Sequence, residues 1–172
     1  EDLHLRDTGP GPLGLAEPPA PFQAAARVTL LTRRPETGTL WQQQLAPFCP
    51  HRVATHGIGD ILSLSARPAA DAFVVELCDR TADAGLRLIA DLRARPATRH
   101  AVLIAVMAAP DSARAADALD RGASDVLPTG YCPEELALRL DIQLHRKASG
   151  DRLRASVRDG LRAAMHDPMT GL

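Results

Sequence analysis

Five short apolar runs rich in β-formers, separated by longer stretches of helical period, restrict what this chain can fold into more than any other feature. The runs are Ala26 to Thr32, Arg52 to His56, Asp71 to Leu77, Ala101 to Met107 and Asp125 to Leu127. Between them the spacing predicts helices at about 37 to 48, 58 to 66, 82 to 95 and 112 to 121, with a last one from Pro133 onward. Crossovers of this length suit βαβ units, so the strands are parallel and helices cover both faces of the sheet. The third and fourth runs are apolar almost throughout, as strands buried on both faces are, and belong at the centre. Right-handed crossovers leave few topologies, and the expected fold is α/β, a doubly wound five-stranded parallel sheet in the order 2-1-3-4-5. A length of 172 residues suits one such domain with extensions.

The extensions lie at both ends. Residues 7 to 25 hold five of the fourteen prolines and three glycines, which reads as a linker, and Glu1 to Arg6 as the end of something upstream. Residues 1 to 25 are therefore set apart, and the chain is read as a piece of a longer protein. The last helix has Pro133 at its start with Glu134 and Glu135 in the first turn, where carboxylates complement the helix dipole. Leu136, Leu140 and Leu144 form its inward face. Beyond Lys147, Ala148-Ser149-Gly150 precedes a second, narrower stripe of Leu153, Val157, Leu161 and Ala164 among arginines. Residues 148 to 166 are expected to be a helical stalk, as a plain surface helix or the seam of a dimeric coiled coil, with Gly150 as a hinge.

Charge, length and residue chemistry narrow the function. A formal net charge of −1 gives no basic footprint for nucleic acid. No apolar stretch approaches the roughly 20 residues of a membrane helix, and a cytoplasmic location is expected. Cys49, Cys78 and Cys132 are too dispersed for a disulfide framework or a zinc site, and the six histidines have no ligand spacing. Lys147 is the sole lysine among twenty basic residues.

In an open α/β sheet, chemistry collects beyond the carboxyl ends of the strands. Here those positions carry Thr32, Arg33 and Arg34, then Glu76, Cys78 and Asp79, then Met107, then Pro128, Thr129 and Gly130. They include no carboxylate pair, no nucleophile beside a base and no phosphate-binding glycine loop.

Residues 121 to 136, Arg-Gly-Ala-Ser-Asp-Val-Leu-Pro-Thr-Gly-Tyr-Cys-Pro-Glu-Glu-Leu, resemble the end of a bacterial response-regulator receiver domain. Asp71 to Leu77 resembles that family's phosphoacceptor strand and Ala26 to Arg33 its first strand, so the similarity spans about residues 26 to 147. Asp167-Pro168-Met169-Thr170-Gly171-Leu172 resembles the opening of a GGDEF diguanylate cyclase domain, which residues 167 to 172 would begin. Receiver, long helix and GGDEF opening in this order resemble cyclases of the PleD type, in which two receivers precede the cyclase and the second is a degenerate adaptor. The resemblance implies two-component signalling, with an upstream receiver domain, a downstream GGDEF domain and a second copy in a homodimer as partners. It also implies GTP and Mg²⁺ as cofactors of the parent cyclase and none in this segment. The dimer surface it implies lies at about residues 111 to 147.

Departures from the family pattern fall on its phosphorylation site. The acidic pair after the first strand becomes Thr32 and Arg33, the phosphoacceptor aspartate becomes Glu76, the Thr or Ser after the fourth strand becomes Met107, and the lysine after the fifth becomes Thr129. Mg²⁺ binding is not expected, because a hard cation needs several oxygen ligands. Glu76 is expected either to mimic a phosphoryl group or to accept hydrogen bonds from Arg33 or Arg34, with one of them in salt-bridge reach, and hold the old site shut. The loop from Glu76 to Gly85 is one residue longer than the family's, so Asp79 has no firm counterpart. A small-ligand domain gripping an anion with Arg33, Arg34 and Thr129, and a phosphoaccepting receiver, are the alternative readings. Trp41 is expected to pack the first helix on the sheet.

Overall fold

The computed structural model describes residues 24–60, 70–79 and 82–166. Five strands, β1 (Arg27–Thr32), β2 (Arg52–Gly57), β3 (Ala72–Leu77), β4 (Val102–Met107) and β5 (Asp125–Leu127), form one parallel sheet in the order β2-β1-β3-β4-β5. The helices are α1 (Pro35–Leu45), α2 (Ala82–Ala94), α3 (Ser112–Asp120) and α4 (Pro133–Met165). This is the expected architecture, with β1, β3 and β4 central.

The period-two alternation of each strand divides the core. Val28, Leu30, Val74, Ile104 and Val106 face α1 and α4, meeting Leu45, Leu136, Leu140 and Leu144. Leu31, Phe73, Val75, Leu103 and Met107 face the other way, toward Leu86, Ile89 and Leu92 of α2 and Ala118 of α3. The helix ends follow local chemistry. Pro35 starts α1 two residues earlier than expected, because its fixed φ suits the first helical turn. Asp111 caps α3 by accepting from the Arg114 N–H at 3.0 Å. Ile58–Asp60, where a helix was expected to begin, is a single 3₁₀ turn, and the rest of that expected helix, 61 to 66, lies outside the described residues. So do the linker up to residue 23 and the 167 to 172 motif.

The hinge expected at Gly150 is not a break, since α4 runs unbroken from Pro133 to Met165. One ion pair spans the glycine and a second follows it directly. Lys147 Nζ lies 2.5 Å from Asp151 Oδ2, and Arg154 Nη2 lies 2.5 Å from Asp151 Oδ1. These i,i+4 and i,i+3 contacts support the turn that glycine alone weakens. Beyond it Leu153, Val157 and Leu161 are 67%, 55% and 62% exposed.

Candidate functional site

β1, β3 and β4 end side by side, and the residues there come from different elements. Thr32 closes β1, buried, and its Oγ1 donates to the Arg34 carbonyl at 2.9 Å. α1 sits directly on this end of the sheet, because a Cβ on Gly38 would lie 2.9 Å from Thr32 Oγ1 and 3.1 Å from Thr55 Cβ. Arg33 leaves the strand into solvent. Its backbone N–H donates to Glu76 Oε2 at 2.8 Å, and this contact joins the ends of β1 and β3.

That contact bears out Arg33 as a hydrogen-bond partner of Glu76 and corrects the expected salt bridge. Glu76 is held at this edge by a main-chain donor, and among the described residues neither the Arg33 nor the Arg34 guanidinium forms an ion pair with it. The physical reason is position: the amide of the residue following β1 already points across the gap to β3, with no long side chain to immobilise. Because an amide oxygen can still accept from that N–H, Glu76→Gln is expected to lower stability by less than about 1 kcal/mol, the loss of charge assistance alone. Urea unfolding monitored at Trp41 checks this.

Met107 is fully buried among the side chains between the sheet and α2, opposite Leu77 in the ladder. Thr129 is exposed in the loop after β5. Gly130, next to it, has φ +107°, and a Cβ there would lie 3.7 Å from the Met107 carbonyl, so this loop passes close to the end of β4. Asp79 points outward, its side chain 83% exposed, and pairs with Arg114 Nη1 of α3 at 2.9 Å. The edge therefore offers one carboxylate already engaged by an amide, a second paired with a guanidinium, a buried thioether and two hydroxyls. These residues do not fit a divalent cation, which prefers several anionic or carbonyl oxygens converging on one point. Among the described residues, no group of three or more His, Cys, Asp or Glu could hold a metal.

A groove of about 610 Å³ opens beside this edge, with Arg33 and Arg87 balanced by Asp60 and Asp91. Of the three residues considered from sequence for an anion grip, Arg33 lines this groove.

A contact that sequence did not announce pins the β5–α4 loop. Tyr131 stacks on Trp41 of α1 with ring centroids 4.3 Å apart and planes within 5°, and its hydroxyl donates to the Trp41 carbonyl at 2.7 Å. Trp41 packs α1 on the sheet as expected, and also anchors the loop carrying Thr129. Burial pushes the Tyr131 phenol from 10.0 up to about 12. With the folded pKa above the unfolded one, the contribution of this group is complete below pH 10 and is lost as pH rises toward 12. Tyr131 is the sole tyrosine, so its ionisation is read directly by ultraviolet absorbance. The expected midpoint is near 12; one near 10 would mean the stack is not formed.

The fold at this edge is widely shared. A CheY-like receiver domain protein of Methanospirillum hungatei matches with a TM-score of 0.60 at 12% identity, covering 74% of this chain and 99% of that one. A response regulator of Thermotoga maritima also matches at 0.60, with 15% identity over 70% and 98%. An atypical orphan response regulator, described as having a phosphorylation-independent regulatory mechanism, matches at 0.55, with 18% identity over 69% and 95%. In sequence, the chain is 32% identical over 122 residues to the response regulator PleD of Caulobacter vibrioides, covering 71% of this chain and 27% of that protein. The chain has the response-regulator receiver fold, and its sequence is similar to that of a response regulator. No family model matches the chain. It spans about a quarter of the PleD sequence, and no helix among its described residues is long and apolar enough to cross a membrane.

Proposed function

We propose that this receiver domain is a phosphorylation-incompetent adaptor of a PleD-type diguanylate cyclase, supplying dimerisation surface and a rigid connection rather than a phosphorylation switch. The observation that carries the reading is the composition of the carboxyl edge. Thr32, Arg33, Glu76, Met107 and Thr129 stand where a phosphoaccepting receiver needs an acidic pair, an aspartate, a hydroxyl and a lysine, and Glu76 is tied to the Arg33 amide. Lys147 does not replace the missing lysine, because it lies fourteen residues into α4, about 20 Å along the helix from Pro133. Residues 26 to 147 form the adaptor body in this reading, 148 to 166 the stalk, and 167 to 172 the opening of the cyclase.

PleD is a response regulator, and the similarity to it supports the link to a cyclase. The orphan regulator described as phosphorylation-independent offers a precedent for a receiver fold that works without phosphoryl transfer. A cyclase that joins two GTP molecules needs two catalytic domains facing one another, and tethering both to a dimer raises their effective concentration. The partners are an upstream receiver, the downstream GGDEF domain and a second copy of the parent protein in the cytoplasm, with GTP and Mg²⁺ bound only by the cyclase. The exposed seam of Leu153, Val157, Leu161 and Ala164 then meets its counterpart on the second copy. In the parent protein, Leu153→Asp with Leu161→Asp is expected to reduce cyclic di-GMP production at least tenfold and to shift the mass in light scattering from dimer toward monomer. Far-ultraviolet circular dichroism separates this from unfolding. Unchanged output and mass would reduce the stalk to a spacer.

A further inference from the structure

The residues that lead into β1 and the turn of α4 that runs on past the sheet meet at one cavity. It has a volume of about 250 Å³, with residues 24–26 on one side and Leu144, Ala148 and Asp151 on the other, and His51 and Asp71 also line it. Those last two side chains hold the entering strand by its amides. Asp71 Oδ2 accepts from the Arg27 N–H at 2.8 Å, and His51 Nδ1 accepts from the Ala26 N–H at 3.3 Å. The Ala26 carbonyl in turn accepts from the Arg52 amide at 2.9 Å, so His51 and Arg52 together engage both the N–H and the C=O of Ala26. The His51 bond forms only on a neutral ring that carries its proton on Nε2. That Nε2 is buried and finds no partner among the described residues. The ring therefore holds Ala26 in one protonation state and not in the other.

We propose that His51 is a pH-operated latch: neutral, it fastens the entry of β1 beside α4, and protonated, it releases Ala26 while the strand itself stays in the sheet. A proton on Nδ1 would set one N–H against another, so the charged ring must turn away from Ala26. Titratable groups face the ring from each element packed against it. They are Asp141 and His145 on α4, Asp71 ahead of β3 and Cys49 on the α1–β2 connection. Lys147 and Asp151 share the first cavity with it, and Glu134 a second one of about 300 Å³ that His51 also lines. Burial is the largest influence and opposes the cation; Asp141 and Asp71 favour it, and His145 opposes it, so the ring stays neutral to below its ordinary 6.5. As pH falls, the unfolded chain takes up this proton first. The contribution of the latch is therefore complete above pH 6.5 and is lost below it. Arg27 keeps its own acceptor, the Asp71 carboxylate, through the same change.

Because residues 24–26 form one wall of the cavity and Ala148 and Asp151 the other, opening the latch loosens the entry of β1 and the first turn of the stalk together. The inference is independent of the adaptor reading, since it uses no residue of the carboxyl edge. The test is an NMR titration of the full 172-residue chain from about pH 7.5 to about pH 5, the range in which an imidazole titrates. The His51 ring, the Ala26 amide and the Ala148 methyl are expected to shift in one step with a common midpoint below 6.5, and the Arg27 amide to stay in place. Protection of the Ala26 amide against hydrogen exchange is expected to fall about tenfold across that step, as for the loss of one hydrogen bond. His51→Asn offers a side-chain oxygen that accepts as Nδ1 does and takes up no proton, so the step is expected to vanish and Ala26 to stay protected. An Ala26 amide that does not move while His51 titrates would overturn the proposal in the natural chain alone. So would a His51 ring that stays neutral until the domain unfolds, or a step at Ala26 that survives in His51→Asn.

Discussion

Arg93→Ala is expected to cost about 2 to 4 kcal/mol, the largest single loss for any substitution outside the apolar core, and to lower the melting temperature by on the order of 10 °C. Arg93 ends α2 as a clamp on the amino-terminal side of the sheet. Its Nε donates to the Gly122 carbonyl at 3.0 Å and its Nη2 to the same oxygen at 2.5 Å, while Nη1 reaches the carbonyls of Arg99 at 2.5 Å and Ala101 at 3.0 Å. Gly122 is where the chain turns with φ +108° between α3 and β5, and a Cβ there would lie 3.0 Å from Arg93 Cγ. One guanidinium thus satisfies the approaches to β4 and β5 together, and its removal leaves partly buried carbonyls without donors. Arg93→Lys is expected to recover less than half the loss, because an ammonium lacks the planar fork that bonds several carbonyls at once. Chemical unfolding of the two variants measures both. A cost for Arg93→Ala below about 0.5 kcal/mol would show that water replaces the clamp.

The parts of the fold legible in the sequence are those that each segment specifies locally. Near-continuous apolarity put β3 and β4 at the centre, and the spacing of Leu136, Leu140 and Leu144 assigned the inward face of α4; all three leucines are buried. Pro133 with Glu134 and Glu135 marked where that helix begins, and it begins there. Contacts across many residues of chain were not legible. Tyr131 and Trp41 are 90 positions apart, and nothing in either neighbourhood announces the stack. The Arg93 clamp was not legible either, because its acceptors are main-chain carbonyls, which every residue has. At Glu76 the partner residue, Arg33, was legible and the donating atom was not: a carboxylate at a strand end calls for a donor, and side-chain identity suggested a salt bridge where geometry supplies the backbone amide. At Gly150 local propensity pointed to a hinge, and the two ion pairs to Asp151 carry the helix through.

The adaptor reading turns on whether the carboxyl edge accepts phosphate. Phosphoryl transfer to a carboxylate needs charge compensation for the incoming group, by a metal ion and a cationic side chain poised at the site. Glu76 already accepts from the Arg33 amide, Asp79 is paired with Arg114, Met107 is buried in the core, and the loop bearing Thr129 is pinned through Tyr131 to Trp41. The direct measurement is to incubate the protein with acetyl phosphate and Mg²⁺, and separately with beryllofluoride and Mg²⁺, following intact mass in the first case and amide chemical shifts at residues 32, 76, 79, 107 and 129 in the second. The account predicts no phosphoryl mass added and no shift beyond that caused by ionic strength. Stoichiometric phosphorylation at Glu76 or Asp79, or beryllofluoride shifts converging on the ends of β1, β3 and β4, would contradict it.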